Sequence, residues 1–194
     1  MSSYILATFC PPLALARLSR MHRHLFRTGQ ELFHVSLEFH PQHVNKNTDW
    51  LFLQKEIAKT AQARHIEVQA LIMMNTHIHI LISTAEKQEN FFCEHLQKQI
   101  SPSAKLENLA EPILSFAQYL NTYKYIYRNP VEAHLCLRVE DYVYSSLYQL
   151  LGKTMLYYPL VDQLNLIHHP QKILRWLNNV DLELFPDRHT PTTH

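Results

Sequence analysis

The chain has 194 residues, of which 46% are hydrophobic and 18% are charged. This length and composition predict one globular domain, with or without a helical arm, and exclude a disordered chain. Lys and Arg (18) nearly balance Asp and Glu (17), so the net charge does not by itself indicate a nucleic-acid-binding protein.

The three cysteines, Cys10, Cys93 and Cys136, are widely spaced and never form a Cys-x-x-Cys pair. This spacing argues against a disulfide scaffold and against a cysteine zinc site. No apolar run reaches the roughly 20 residues of a membrane span, and the first residues lack the pattern of a signal peptide. We therefore expect a cytoplasmic protein with no membrane association.

The first 30 residues predict a basic helical arm. Apolar residues recur every three to four positions from Leu15 to Leu25, which is the spacing of one helix face. A neighbouring face carries four arginines, Arg17, Arg20, Arg23 and Arg27. Such a face either follows a phosphate backbone or is simply solvated, and the sequence leaves both readings open.

The next part of the chain alternates strand and helix patterns. "ELFHVSLEF" alternates like a strand, and "NTDWLFLQKEIAKTAQARH" predicts a helix that buries Trp50, Leu53, Ile57 and Ala61. "IEVQALIMMN" and "HIHILIS" then predict two strands that turn near Asn75.

The remainder is predominantly helical. "QENFFCEHLQKQI" predicts a helix, "SPSAKLENLAEP" a loop or a short broken helix, and "ILSFAQYLNTYKYIYRN" a helix that should end before Pro130. Short helices joined by turns should follow. This order of elements predicts an α+β fold with an antiparallel sheet covered on one face.

Two histidines, His77 and His79, lie two positions apart in the apolar stretch "MMNTHIHILIS". In a strand, both imidazoles should point outward from one surface while Ile78, Ile80 and Ile82 face the core. Neighbouring imidazoles can converge on a divalent ion, although two surface histidines without a ligand would show the same spacing.

Two stretches resemble a known family. "ALIMMNTHIHILIST" resembles the Met-Pro-Asn-His-x-His-Leu-Leu signature of the single-tyrosine HUH transposases, most closely the REP-associated tyrosine transposases. "YKYIYRNPVEAHLCLRVEDYVYSSL" resembles the same family's Y-I-x-x-N-P-V-x-A-G-L, followed by P-E-D-Y-x-W-S-S. "LFHVSLEF" is a weaker match to the family's first strand, Y-H-V-T-x-R.

The resemblance implies a ferredoxin-like antiparallel sheet with helices on one face over residues 31–150. Helical extensions would occupy residues 1–30 and 151–194. It also implies a homodimer that binds single-stranded or hairpin DNA, in which His77 and His79 hold Mg or Mn. A tyrosine would attack the scissile phosphate and form a phosphotyrosine intermediate.

The sequence departs from the family at places that affect activity. Asn75-Thr76 replaces Pro-Asn before His77, and Glu38 lies where the family has an arginine. No tyrosine occurs from His79 to Gln118, where the nucleophile is expected. Tyr119, the first tyrosine beyond that interval, is the candidate nucleophile.

Two assignments stay open. Tyr119, Tyr123 and Tyr127 share one helix face, a pattern that is also typical of packing against a sheet. Gln118, Glu38 and His34 are each chemically suitable as a third metal ligand. Besides a working transposase, the sequence is compatible with a catalytically inactive DNA-binding module and with a decayed scaffold that only self-associates.

Overall fold

A computed structural model describes residues 29–38, 50–85, 88–100, 110–154, 158 and 160–180. The predicted basic arm, including Arg17, Arg20, Arg23 and Arg27, lies outside the described residues. The elements in chain order are β1 (Glu31–Glu38), α1 (Trp50–Ala63), β2 (Glu67–Met73), β3 (His77–Thr84), α2 (Glu89–Ile100), β4 (Ala110–Pro112), α3 (Phe116–Glu132), a 3-10 turn (Val139–Asp141), α4 (Ser146–Leu150) and α5 (Pro170–Leu177).

The four strands form an antiparallel sheet in the order β2-β3-β1-β4. With α1 between β1 and β2, and α2 between β3 and β4, the connections follow the ferredoxin-like β-α-β-β-α-β pattern. The predicted α+β class and antiparallel sheet are therefore confirmed.

Helices cover both faces of the sheet, not one as predicted. On the first face, Ile78, Ile80 and Ile82 of β3 lie in a buried cluster with residues of α1 and α2. On the second face, Leu81 of β3 lies in another buried cluster with Tyr123 and other residues of α3. The sheet can carry two cores because successive side chains on a strand point to opposite faces.

The predicted loop before α3 ends in a strand. Residues 110–112 form β4, which pairs antiparallel with β1 at the edge of the sheet, whereas residues 101–109 lie outside the described part. Polar residues and a proline resemble a loop in the sequence, yet a short edge strand tolerates a proline because one side of it needs no ladder partner.

The predicted end of α3 before Pro130 is wrong, because the helix continues to Glu132. Proline removes one hydrogen bond and its ring crowds the carbonyl four residues earlier, but its fixed φ suits a helix and only the last residues of α3 follow it. The Ala133 N–H donates to the Asn129 carbonyl, and the Leu135 N–H donates to the Pro130 carbonyl. These bonds close the helix after the proline.

The described part of the predicted C-terminal extension packs against the sheet domain. Ile173, Trp176 and Leu177 of α5 are buried in the cluster that also contains the α3 tyrosines. No helix in the described ranges is long and apolar enough to cross a membrane. The proposed boundaries at residues 30 and 150 stay predictions.

Ser146 joins three elements through one hydroxyl group. Its oxygen accepts a hydrogen bond from the Leu71 N–H of β2 (2.8 Å) and lies 2.7 Å from the Tyr127 hydroxyl of α3. The residue is completely buried at the start of α4. Both partners would lose a buried hydrogen bond without it.

Replacing Ser146 with alanine should therefore lower the free energy of unfolding by about 1–3 kcal/mol. The measurement is urea unfolding of the wild type and Ser146→Ala. Tyr119→Phe is the matched control, because the buried Tyr119 hydroxyl has no hydrogen-bond partner in the described part of the chain, and its removal should not destabilise the fold. Equal stability of wild type and Ser146→Ala would contradict the assigned role.

Candidate functional site

The two histidines of β3 lie side by side on one face of the sheet. Their ring centroids are 4.9 Å apart. β3 is hydrogen-bonded to β1 on one side and to β2 on the other, so the position of both imidazoles is determined by a central strand. The alternation predicted for His77, His79 and the intervening isoleucine is present.

His79 does not point outward to solvent and His77 is half-buried, because α3 lies over them. The Tyr125 hydroxyl lies 3.4 Å from His79 Nε2, and Asn129 Oδ1 lies 3.2 Å from His77 Nε2. Tyr125 and Asn129 are four residues apart and therefore share one helix face. His79 is only 6% exposed, whereas Tyr125 is 45% exposed.

A third imidazole, His34 of β1, completes the cluster. His34 Nε2 lies 3.1 Å from His79 Nδ1, and the two ring centroids are 5.1 Å apart. The Glu111 carboxylate of β4 lies 3.9 Å from His34 Nδ1. Of the three residues proposed as a third ligand, His34 is therefore the one whose side chain contacts the pair.

The other two proposed ligands are placed differently. Gln118 caps the start of α3, where its side chain accepts from the Leu114 N–H and donates to the Pro112 carbonyl. Glu38 is the cross-strand neighbour of His77 at the end of β1. Glu38 is exposed to solvent.

Burial makes His79 and His34 hard to protonate. Desolvation, followed by the charges that His34 and His77 carry when protonated, lowers the pKa of His79 to about 3. Desolvation also lowers the pKa of His34, although Glu111 opposes that effect. Neutral His79 can donate from one ring nitrogen and accept at the other, which suits a chain from Tyr125 through His79 to His34.

This series of hydrogen bonds can hold a proton in place but is poorly suited to remove one from the Tyr125 hydroxyl. An imidazole with so low a pKa is a weak general base, so His79 gives little assistance to deprotonation of the Tyr125 hydroxyl. His79 and His34 are therefore hydrogen-bonded, neutral polar groups beneath a helix.

The three imidazoles by themselves do not fit a resident Mg or Mn ion. Both cations prefer oxygen ligands, whereas His34, His77 and His79 offer ring nitrogens that already have protein partners. No group of three or more His, Cys, Asp or Glu within the described ranges is arranged to hold a metal. His77 and His79 would need further ligands from elsewhere.

Tyr119 lies in the core rather than at the histidines. Its side chain is fully buried, and its ring stacks on Phe116 with centroids 6.1 Å apart. Desolvation raises the pKa of Tyr119 well above its ordinary value, which disfavours the phenolate needed for attack. The structure thus does not favour Tyr119 as a nucleophile and places Tyr125 next to the histidines instead.

The contacts of Tyr125 and Asn129 were missed in the sequence. The signal was available, because both belong to the stretch "YIYRNPV" and their spacing of four residues places them on one helix face. What the sequence could not show is which face of α3 meets β3.

No known family model matches the sequence. The chain is 23% identical over 151 residues to the REP-associated tyrosine transposase of Escherichia coli (strain K12), and the match covers 74% of this chain and 90% of the relative. A solved structure of a REP-associated tyrosine transposase bound to a REP hairpin matches 79% of this chain and 87% of that chain, with a TM-score of 0.45 and 19% identity. The sequence match confirms the relationship that the motifs implied.

Protonation of the unfolded chain should make stability depend on His79. Between about pH 6.5 and about pH 3 the unfolded imidazole binds a proton that the folded one does not, so stability falls as pH falls through this range. Replacing His79 with glutamine should reduce this pH dependence by at most about 1.4 kcal/mol per pH unit.

The measurement is urea unfolding at about pH 7 and about pH 5. Only the change between the two pH values is compared, since the substitution also alters packing. His168→Gln, at an exposed position, is the control and should keep the wild-type pH dependence. The same pH dependence in His79→Gln and wild type would refute the assigned shift.

Proposed function

Since this chain is a divergent relative of the REP-associated tyrosine transposases, we propose that it is a transposase-like protein that binds hairpin-forming DNA without cleaving it. The observation that carries the proposal is the extent of the sequence match, which covers 90% of the relative. A similarity of that extent covers far more than one short motif, and it agrees with the two motif matches in the middle of the chain.

Three features of the histidine site support binding without cleavage. The interval from His79 to Gln118 contains no tyrosine. The only described tyrosine hydroxyl with a contact to His79 is that of Tyr125, and His79 is a weak base. Within the described ranges, no three His, Cys, Asp or Glu side chains are arranged to hold a metal ion.

The basic arm supplies the proposed phosphate contacts. Arg17, Arg20, Arg23 and Arg27 recur at the spacing of one helix face, so all four can contact a phosphate backbone together. The homodimer and the cytoplasmic location predicted from the sequence belong to the same proposal. So does the preference for hairpins with single-stranded flanks.

Removing the arm's charge should weaken binding in a salt-dependent manner. The variant with all four arginines replaced by alanine should reduce the slope of log affinity against log salt by about 3, because each phosphate contact contributes roughly 0.7–0.9. The measurement is an electrophoretic shift of a labelled hairpin between about 50 and about 200 mM salt.

Arg64→Ala is the control for the loss of one exposed charge elsewhere, since Arg64 lies over the Phe91 ring just beyond α1. It should leave the salt slope unchanged. Absence of any shift by the wild type at low salt would refute DNA binding and favour the decayed scaffold.

Metal-dependent cleavage of DNA is the more specific function that the family resemblance implies. In that case Tyr125 would have to attack the phosphate, with His77 and His79 contributing to a site for Mg or Mn. We expect no covalent protein–DNA adduct when the hairpin is incubated with the wild type and either metal. An adduct that disappears in Tyr125→Phe, but persists in Tyr119→Phe, would show instead that the chain is an active nuclease.

A further inference from the structure

A concave site lies at the edge of the sheet, between the start of α1 and the segment that leads into and beyond α4. The cavity measures about 300 Å³, which is the lower end of the range for small-molecule sites. The residues that line it include three aromatic side chains and two with amide or hydroxyl groups: Trp50, Tyr144, Tyr148, Gln54 and Thr154.

The aromatic walls are partly exposed, and contacts with the fold hold them in position. Tyr144 is 39% exposed, and its ring centroid lies 5.8 Å from that of Trp50. The backbone of Tyr144 is tied to the edge strand, because its carbonyl accepts a hydrogen bond from the Met73 N–H (3.0 Å). Trp50 packs on the apolar cluster beneath α1. The site therefore presents aromatic faces on a rigid frame.

Polar and charged groups border the aromatic rings. The Gln54 amide is oriented by Gln149, whose Nε2 donates to Gln54 Oε1. Lys153 Nζ lies 5.0 Å from the centroid of the Tyr148 ring. A nucleotide matches this combination, since it has an aromatic face that stacks, a polar base edge that forms hydrogen bonds and a phosphate that attracts a cation.

The cavity lies at the same end of the sheet as the histidine pair. Tyr144 bonds to Met73, the last residue of β2, and Met73 is in register with Ile78, next to His77. Two strand spacings of about 4.8 Å separate the Tyr144 segment from β3. A single strand of DNA that passes this end of the sheet would reach the cavity.

Resting on the proposed DNA binding, we infer that this cavity receives one unstacked base from the single-stranded flank of a DNA hairpin. Trp50, Tyr144 and Tyr148 provide the stacking surfaces. The Lys153 ammonium group, which lies over the Tyr148 ring and donates to the Glu140 carbonyl (2.7 Å), offers the adjoining phosphate a positive charge. Because stacking is tolerant of sequence, the site contributes affinity for single strands rather than base identity.

The test compares a hairpin that carries a single-stranded flank with the same hairpin made blunt. Tyr144→Ala should bind the flanked hairpin about tenfold more weakly than the wild type, while its affinity for the blunt hairpin stays unchanged. Phe91→Ala is the matched control, because Phe91 is similarly exposed (43%) but lies on α2, outside the cavity. It should bind both hairpins as the wild type does.

Tryptophan fluorescence of the wild type gives a second measurement that requires no variant. The chain has two tryptophans, and Trp176 is buried in the other core, so a stacked base should quench the emission of Trp50. Oligothymidylate and the flanked hairpin should quench the emission, whereas the blunt hairpin should not.

The outcomes separate this inference from the proposed function. Binding of both hairpins without quenching, and with equal affinity for wild type and Tyr144→Ala, would overturn the base site and leave DNA binding intact. Failure of the wild type to bind even the blunt hairpin would overturn the proposed function, and the base site with it.

Discussion

The alternation of side chains along β3 is the constraint on which both the core and the candidate site depend. Ile78, Ile80 and Ile82 are completely buried against the helices of the first face. A slip of one residue would turn His77 and His79 toward that core and the isoleucines away from it, so the register of β3 is strongly specified. Once the isoleucines are buried, His77 and His79 must face α3. The hydrophobic effect thus positions the polar site.

The stretch "EDYVYSS" connects that core to the rest of the molecule. The Tyr142 hydroxyl donates to the Met73 carbonyl, and the Tyr144 carbonyl accepts from the N–H of the same residue. Ser146 adds the link to Leu71 and Tyr127. One short segment therefore closes the edge of β2, orients α3 and forms a wall of the aromatic cavity. The motif therefore has a structural role, and it also holds Tyr144 in position at the inferred base site.

Burial of the histidine cluster costs free energy and reduces its chemical capacity. His34, His77 and His79 each have a polar partner, so the cost of removing the imidazoles from water is partly offset. The same burial keeps His79 neutral and weakly basic. In the proposed function, contacts to DNA consequently come from the basic arm and the aromatic cavity. The aromatic cavity lies outside the histidine cluster.

The sequence alone was sufficient for the local features. Period-two alternation predicted β1, β2 and β3, period-3.6 spacing predicted α1 and α3, and short motifs implied the family before any comparison. These signals are local, because backbone geometry determines which neighbours along the chain share a face. Only the tertiary structure decided that α3 covers the histidines, that Tyr125 rather than Tyr119 lies beside His79, and that β4 pairs with β1. Those facts depend on contacts between segments that are far apart in the sequence. The periodicity of hydrophobic residues within one segment does not determine which other segment it contacts.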